Sequence, residues 1–229
     1  MTSAHPASIS DHAGPVEAQL RQGFGPRVRR LHARIGKAHH QAEGMGFSRA
    51  LLEGRAQPLQ LAVLLRSVAP VYALLEQEGP ALASALGGSA IPWRPLARST
   101  ALRHDIAVLG ALPLTPVSPA AEAWFEHLQG LSRQSPHRLM AHVYVRYGGD
   151  LSGGQQLGQQ ANAILARHGL PALNFWSFEL PIPSLKQTLH DGFEAMDLSA
   201  PEEAELLEEA EQAFLFTQRL LAELEKLAA

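Results

Sequence analysis

Apolar residues recur at three- and four-residue steps along nearly the whole chain; His142–Tyr147 and Asn174–Phe178 alone offer short extended alternatives, and no credible β-hairpin occurs. That periodicity predicts an all-α protein. Val28, Leu31, Ile35, His39 and Ala42 trace one stripe of a helix, with Pro26 suited to its first turn and Gly44 to its end. Leu61, Leu64, Leu65, Val68, Tyr72 and Leu75 are in phase over residues 59–78, where Pro70 is expected to kink the helix or reset its ladder. Shorter helices are expected over 100–109 and 120–131, separated by a connector holding Pro113, Pro116 and Pro119. A long helical stretch over 137–168 is followed by a proline-bounded loop and a helix over 184–196. The last helix begins at Ser199, with Pro201 in its first turn and Glu202 at capping-box spacing.

The 229 residues suit one domain, expected over 16–229, preceded by a tail over 1–15 that lacks the charged start and apolar stretch of a signal peptide. Cysteine is absent, which excludes disulfides, thiolate zinc sites, iron–sulfur ligation and a cysteine nucleophile. A metal site must therefore use His, Asp, Glu or Tyr. The net charge of −3 gives no global attraction to nucleic acid. No uninterrupted apolar run approaches the roughly 18–20 residues that span a bilayer, so a cytoplasmic protein without a membrane partner is expected.

Three local features carry chemistry. Gly148, Gly149, Gly153 and Gly154 fall within seven residues. In a helix each costs about 0.8–1 kcal/mol against alanine, so something must need the missing side chains. A flat ligand and a crossing helix both fit; a phosphate loop is disfavoured, because no Gly-Lys-Ser/Thr follows and no strand–helix alternation surrounds it. Beside this cluster, Arg146 and Asp150 are four residues apart and share a side. His39 lies on the apolar stripe of the first helix, where a satisfied core histidine and a metal ligand are both possible. Glu43, four residues on, could accept from its Nδ1–H and leave Nε2 free to ligate, while His40 faces away. Finally, Arg21, Arg27, Arg29, Arg30, Arg34 and Lys37 are uninterrupted by acids, either a solvated face or a basic rim for an anionic ligand.

Two segments resemble a known family. Lys37-Ala-His-His-Gln-Ala-Glu43 resembles the proximal-helix signature of haem oxygenases, histidine–x–Gln–Ala–Glu. Ala141-His-Val-Tyr-Val-Arg-Tyr-Gly-Gly-Asp-Leu-Ser-Gly-Gly-Gln155 closely resembles their distal-helix signature. Shorter matches at residues 71–76, 101–105, 185–187 and 213–215 keep the family's order. The resemblance implies a single-domain helical fold with haem b held between a proximal helix and a kinked, glycine-rich distal helix. His39 would be the axial ligand, oriented by Glu43. Gly149 and Gly153 would let the distal helix lie over the porphyrin. Asp150, with Arg146 and Tyr72, would hold a distal water network, and Tyr144 and Lys186 would reach the propionates. His32 and Gly36 stand where animal members have lysines, His190 where they have an arginine, and Gly148 where they have a leucine. Arg29, Arg30, Arg34 or His32 are therefore expected to substitute in the propionate clamp. The implied reaction is cleavage of haem to biliverdin, carbon monoxide and ferrous iron, using dioxygen and electrons from a separate ferredoxin or NAD(P)H-dependent reductase. A bacteriophytochrome would be a suitable acceptor of biliverdin. The membrane-anchoring tail of animal members is not expected here, since the chain stops at Ala229. A non-catalytic haem carrier or sensor would share His39 and the glycine face, but would not need Asp150 with its arginine and tyrosine.

Overall fold

The computed structural model describes residues 23–115 and 117–227; the expected tail, Arg21 and Pro116 lie outside them. The described residues form helices α1 (Pro26–Glu43), α2 (Gly46–Leu52), α3 (Pro58–Ala85), α4 (Trp93–Leu96), α5 (Ser99–Val108), α6 (Pro119–Gln134), α7 (Pro136–Asp150), α8 (Gly153–Arg167), α9 (Ile182–Glu194) and α10 (Ala200–Lys226). No strand occurs among them. The all-α expectation is borne out among the described residues, and most predicted helices are found within a few residues of their expected ends; α3 runs on to Ala85, seven residues past its expected end. Sequence reading missed α2 and the single turn α4.

α10 is the central post. It begins with the expected capping box, Ser199 and Glu202 each receiving the other's backbone N–H. Both α1 and α7 pack along it, yet they barely meet each other. Contacts climb α1 and α10 together: Arg27 with Glu203, Arg34 with Glu211, and the Gln218 amide donating to the Ala38 carbonyl at 3.0 Å. The two helices therefore run side by side in the same direction. α7 climbs the other flank, with His137 on Glu205 and His142 on Glu209. A cleft is left between α1 and α7.

α3 runs unbroken through Pro70 and Pro80, so Pro70 does not reset the ladder. It also reaches the length and hydropathy of a membrane span, with a mean of 1.5 over 18 residues, contrary to the sequence expectation. But 61% of that window is buried inside the protein, and Leu61, Leu65, Val71, Tyr72 and Leu75 are at most 0–1% exposed: it is a core helix. The distal stretch is two helices. It breaks at Leu151 and Ser152, where Ser152 adopts φ −117° and ψ −107°.

Several helix starts borrow their caps from other helices. The Glu194 carboxylate accepts from the backbone N–H groups of Arg27 and Val28 at 3.2 and 2.6 Å, satisfying the start of α1, which has no side-chain cap of its own. Glu76 does the same for Arg98 and Ser99 at the start of α5. Asp105, fully buried, accepts from the N–H groups of Asn174 and Phe175 and so anchors the irregular segment before α9.

Candidate functional site

His39 lies at the edge of the buried stripe of α1, which Val28, Leu31, Ile35, Ala38 and Ala42 form. Its side chain is 49% exposed, and its ring meets Phe214 of α10 edge-on at 5.8 Å. A histidine satisfied within the core would be buried with partners on both nitrogens; this one is not. Glu43 sits between two imidazoles, its oxygens 3.6 Å from Nδ1 of His39 and 3.4 Å from Nδ1 of His40. The first distance is too long for a hydrogen bond, so Glu43 biases the ring electrostatically. His40 is 86% exposed and faces away, as expected.

The glycine cluster divides by face. A Cβ added to Gly148, Gly149 or Gly153 would meet nothing within 4 Å, whereas one on Gly154 or Gly158 would run into Trp176, at 3.2 and 2.6 Å. None of these glycines has positive φ, so they are not there for a left-handed turn. One face packs closely on Trp176, which lies in the irregular segment before α9 and not on a crossing helix, and the other presents bare backbone to open space. Gly36, on α1, likewise faces open space.

Asp150 pairs with Arg146 at 3.7 Å, as the four-residue spacing suggested, and the Tyr72 hydroxyl joins the two. The Tyr72 hydroxyl donates to Asp150 Oδ2 at 2.5 Å. It accepts from Arg146 Nε and Nη2 at 3.1 and 3.0 Å, while Arg146 and Asp150 stay 3.7 Å apart. Tyr72 is 0% and Asp150 3% exposed. Burial raises the Asp150 carboxyl above its ordinary range, against the pull of Arg146, the Tyr72 hydroxyl and Arg98. A carboxylate so poised is suited to gaining and losing a proton. Gln155 fixes the backbone beside it, donating to the carbonyls of Asp150 and Trp176.

At the other end of the cleft, α1, α7 and α9 meet around His32, Tyr144 and His190, whose ring centroids lie 6.0–6.1 Å apart. Tyr144 is 3% exposed and Lys186 9%. The Tyr144 hydroxyl is buried with no hydrogen-bond partner among the described residues, and so is His190 Nδ1. Orphaned donors of this kind, beside glycines a Cβ would only fill into open space, fit a flat ligand bearing carboxylates.

Of the expected basic rim, Arg29, Arg30, Arg34 and Lys37 are exposed on α1. Arg27 is buried, donating to the carbonyls of Phe193 and Met196; Arg30 pairs with Glu203 and Arg34 with Glu211. Arg30 and Arg34 thus tie α1 to α10 while their side chains stay about half exposed. Sequence reading also missed a buried cluster in which Glu209 accepts from His127, His142 and Arg138. It is not a second metal centre. The Trp124 indole donates to His142 Nδ1 at 3.0 Å, so the ring's proton sits on Nε2, facing Glu209, and no lone pair remains for a cation.

Fold and site together define an all-helical haem enzyme. The family model described as "Heme oxygenase" matches residues 28–223. The heme oxygenase 1 of Pongo abelii is 30% identical over 206 residues, covering 83% of this chain and 69% of the relative. The structure of heme oxygenase from Leptospira interrogans aligns at a TM-score of 0.78, with 27% identity over 87% of this chain and 100% of that one. Heme oxygenase-2 from Synechocystis, solved with heme and NO, aligns at 0.77, with 25% identity over 89% of this chain and 86% of that one. The chain belongs to the haem oxygenase family, and haem is its substrate and oxygen-activating group.

Proposed function

We propose that this chain opens haem to biliverdin, carbon monoxide and ferrous iron with His39 as the iron ligand and Asp150 as the residue that organises proton delivery. Bound haem supplies the oxygen activation; the protein supplies position and electrostatics. His39 would hold the iron through Nε2, with Glu43 beside its Nδ1. The bare backbone of Gly149 and Gly153 lets the distal helix approach the ring and restricts the space above it. Asp150, held by Tyr72 and through it by Arg146, keeps water ordered over that face and hands it a proton. Tyr144 and Lys186 hold the carboxylates at the cleft's far end. Electrons come from a separate ferredoxin or NAD(P)H-dependent reductase, and a bacteriophytochrome is a fitting acceptor of the product. A cytoplasmic location suits these partners.

The observation that carries the reading is the buried Tyr72–Asp150 pair beside open glycine backbone, which a mere carrier would not need. Asp150→Ala should still bind haemin, since the carboxylate is assigned to water and not to iron. With ascorbate in air, the parent should lose its Soret band and gain biliverdin absorption, and the variant should lose most of that conversion. A folded, haem-loaded Asp150→Ala protein forming biliverdin at the parent rate would sink the assignment.

A further inference from the structure

The last turn of α1 gathers further metal-ligating groups around the ring assigned to the haem iron. His39, His40 and Glu43 each offer one ligand atom, and these atoms lie within 4.8 Å of one another. The Glu43 oxygens stand 3.6 Å from Nδ1 of His39 and 3.4 Å from Nδ1 of His40. Neither contact closes to an ordinary hydrogen bond of about 2.7–3.2 Å. Both lie near the edge, about 3.3–3.4 Å, of a tetrahedron whose metal bonds are about 2.0–2.1 Å long. The three side chains are 49%, 86% and 54% exposed, so a hydrated cation can reach them and keep water on its remaining positions. They sit at the C-terminal end of α1, where the outermost carbonyls carry partial negative charge and favour a cation. Two imidazoles with one carboxylate suit zinc and ferrous iron, whereas magnesium takes oxygen ligands. His40 is the telling member. It faces away from the haem cleft and has no part in the reaction above.

We propose that His39, His40 and Glu43 bind a free divalent cation of the zinc or ferrous class in the haem-free protein, and that this cation and haem exclude each other. The exclusion rests on the haem-oxygenase reading; the cation site stands on the three side chains alone. A neutral imidazole has one lone pair and one N–H. Iron ligation through Nε2 leaves the hydrogen of His39 on Nδ1, beside Glu43. A cation on Nδ1 leaves the hydrogen on Nε2, where the haem iron must bind. His39 therefore serves one metal at a time. Opening of the porphyrin sets ferrous iron free against this same ring, so each turnover delivers a suitable cation to the other side of one imidazole. Held there by His40 and Glu43, it keeps the emptied cleft from taking the next haem until it leaves. Zinc from solution shares the ligand chemistry and has the same effect.

The test titrates Zn²⁺ into the haem-free protein by calorimetry, then follows haemin loading by Soret absorbance with and without saturating Zn²⁺. The parent should bind Zn²⁺ and load haemin several-fold more slowly in its presence; Mg²⁺ should do neither. His40→Ala should weaken Zn²⁺ by at least about tenfold, since even an outer partner of a metal ligand is worth about 10–100-fold in affinity. At the Zn²⁺ concentration that slows the parent, the same variant should load haemin at the metal-free rate. Glu43→Gln should lose Zn²⁺ affinity likewise. An unchanged Zn²⁺ affinity in His40→Ala, or Zn²⁺ binding that leaves haemin loading of the parent untouched, would overturn the proposal. Fe²⁺ repeats the titration without oxygen, and a His40-dependent site for Zn²⁺ with none for Fe²⁺ would overturn the link to the reaction's own iron. Failure of haemin to bind the metal-free parent would instead overturn the functional reading, and His40-dependent Zn²⁺ binding would still uphold the cation site.

Discussion

Removing the Tyr72 hydroxyl is the sharpest probe of how the distal residues hold one another. Tyr72→Phe keeps the ring in its fully buried place against Tyr147 and Phe175, at 5.5 and 5.4 Å, and deletes one oxygen. That oxygen donates to Asp150 and accepts twice from Arg146. A hydrogen bond to a buried charged group is worth about 1.5–3 kcal/mol, and the gap left is too small for a water to repair. Losing the donor to Asp150, with partial closure of the 3.7 Å gap to Arg146, should cost about 2–3 kcal/mol. For a chain of this size that lowers the melting temperature by about 4–12 °C. Denaturant unfolding of the parent, Tyr72→Phe, Asp150→Ala and the double variant measures the coupling directly. In the Asp150→Ala background, the Tyr72 change should cost far less. Fully additive losses, or a Tyr72→Phe penalty under about 0.5 kcal/mol, would refute the idea that the hydroxyl is what joins the two charges.

Other outcomes follow from the same geometry. His39→Ala should abolish the imidazole-type spectrum of the haem complex, and His40→Ala should leave it nearly intact; equal loss in both would sink the assignment of the ligand. Gly149→Ala should stabilise the apoprotein by up to about 1 kcal/mol while weakening haem binding, because its Cβ enters open space. Gly158→Ala should destabilise instead, because its Cβ would lie 2.6 Å from Trp176; circular-dichroism melts of both variants check the contrast. Glu209→Gln should cost about 3 kcal/mol near neutral pH by stranding Arg138 and His142. Burial alone would raise the Glu209 carboxyl, but hydrogen bonds from His127 and His142 hold it well below its ordinary range. Its stabilisation is therefore present above the unfolded carboxyl value and lost as the folded group titrates. The gap between parent and Glu209→Gln should narrow as pH falls below about 4. His142, which burial keeps neutral, adds acid lability to the parent from about pH 6.5 downward.

The parts of this protein legible in its sequence are those written within one helix turn of each other. Helical periodicity reports its own register, so the stripe of α1 and the capping box of α10 could be read directly. The glycine cluster announced a missing-side-chain requirement, but not that Gly149 and Gly154 answer different needs on opposite faces. His39 was legible as a candidate ligand chiefly through the family's signature; periodicity alone placed it on the core stripe, whereas it lies at that stripe's edge. Arg146 and Asp150 were legible as a pair, but spacing says nothing about Tyr72, which folding brings from 74 positions away to join them. The pairing of the α1 arginines was hidden for the same reason. Their partners, Glu203 and Glu211, lie on α10, and an acidic run that far along reads on its own as a solvated face.

The carboxylate of Glu194 makes α1 a ruler. It grips the first turn of α1 at Arg27 and Val28, and Gly25 is there because a Cβ would run into that carboxyl group. Glu194 belongs to α9, the helix that also carries Lys186 and His190. The height of His39 is thus measured off from α9, eleven residues and about 16 Å up a single helix. Breathing of the cleft leaves that length unchanged, because it is set by covalent count and backbone hydrogen bonds and not by packing across the gap. One residue added between Val28 and His39 would turn the imidazole by about 100° and lift it by about 1.5 Å. The zero of the scale would stay fixed on Glu194, and the mark would no longer face the groove.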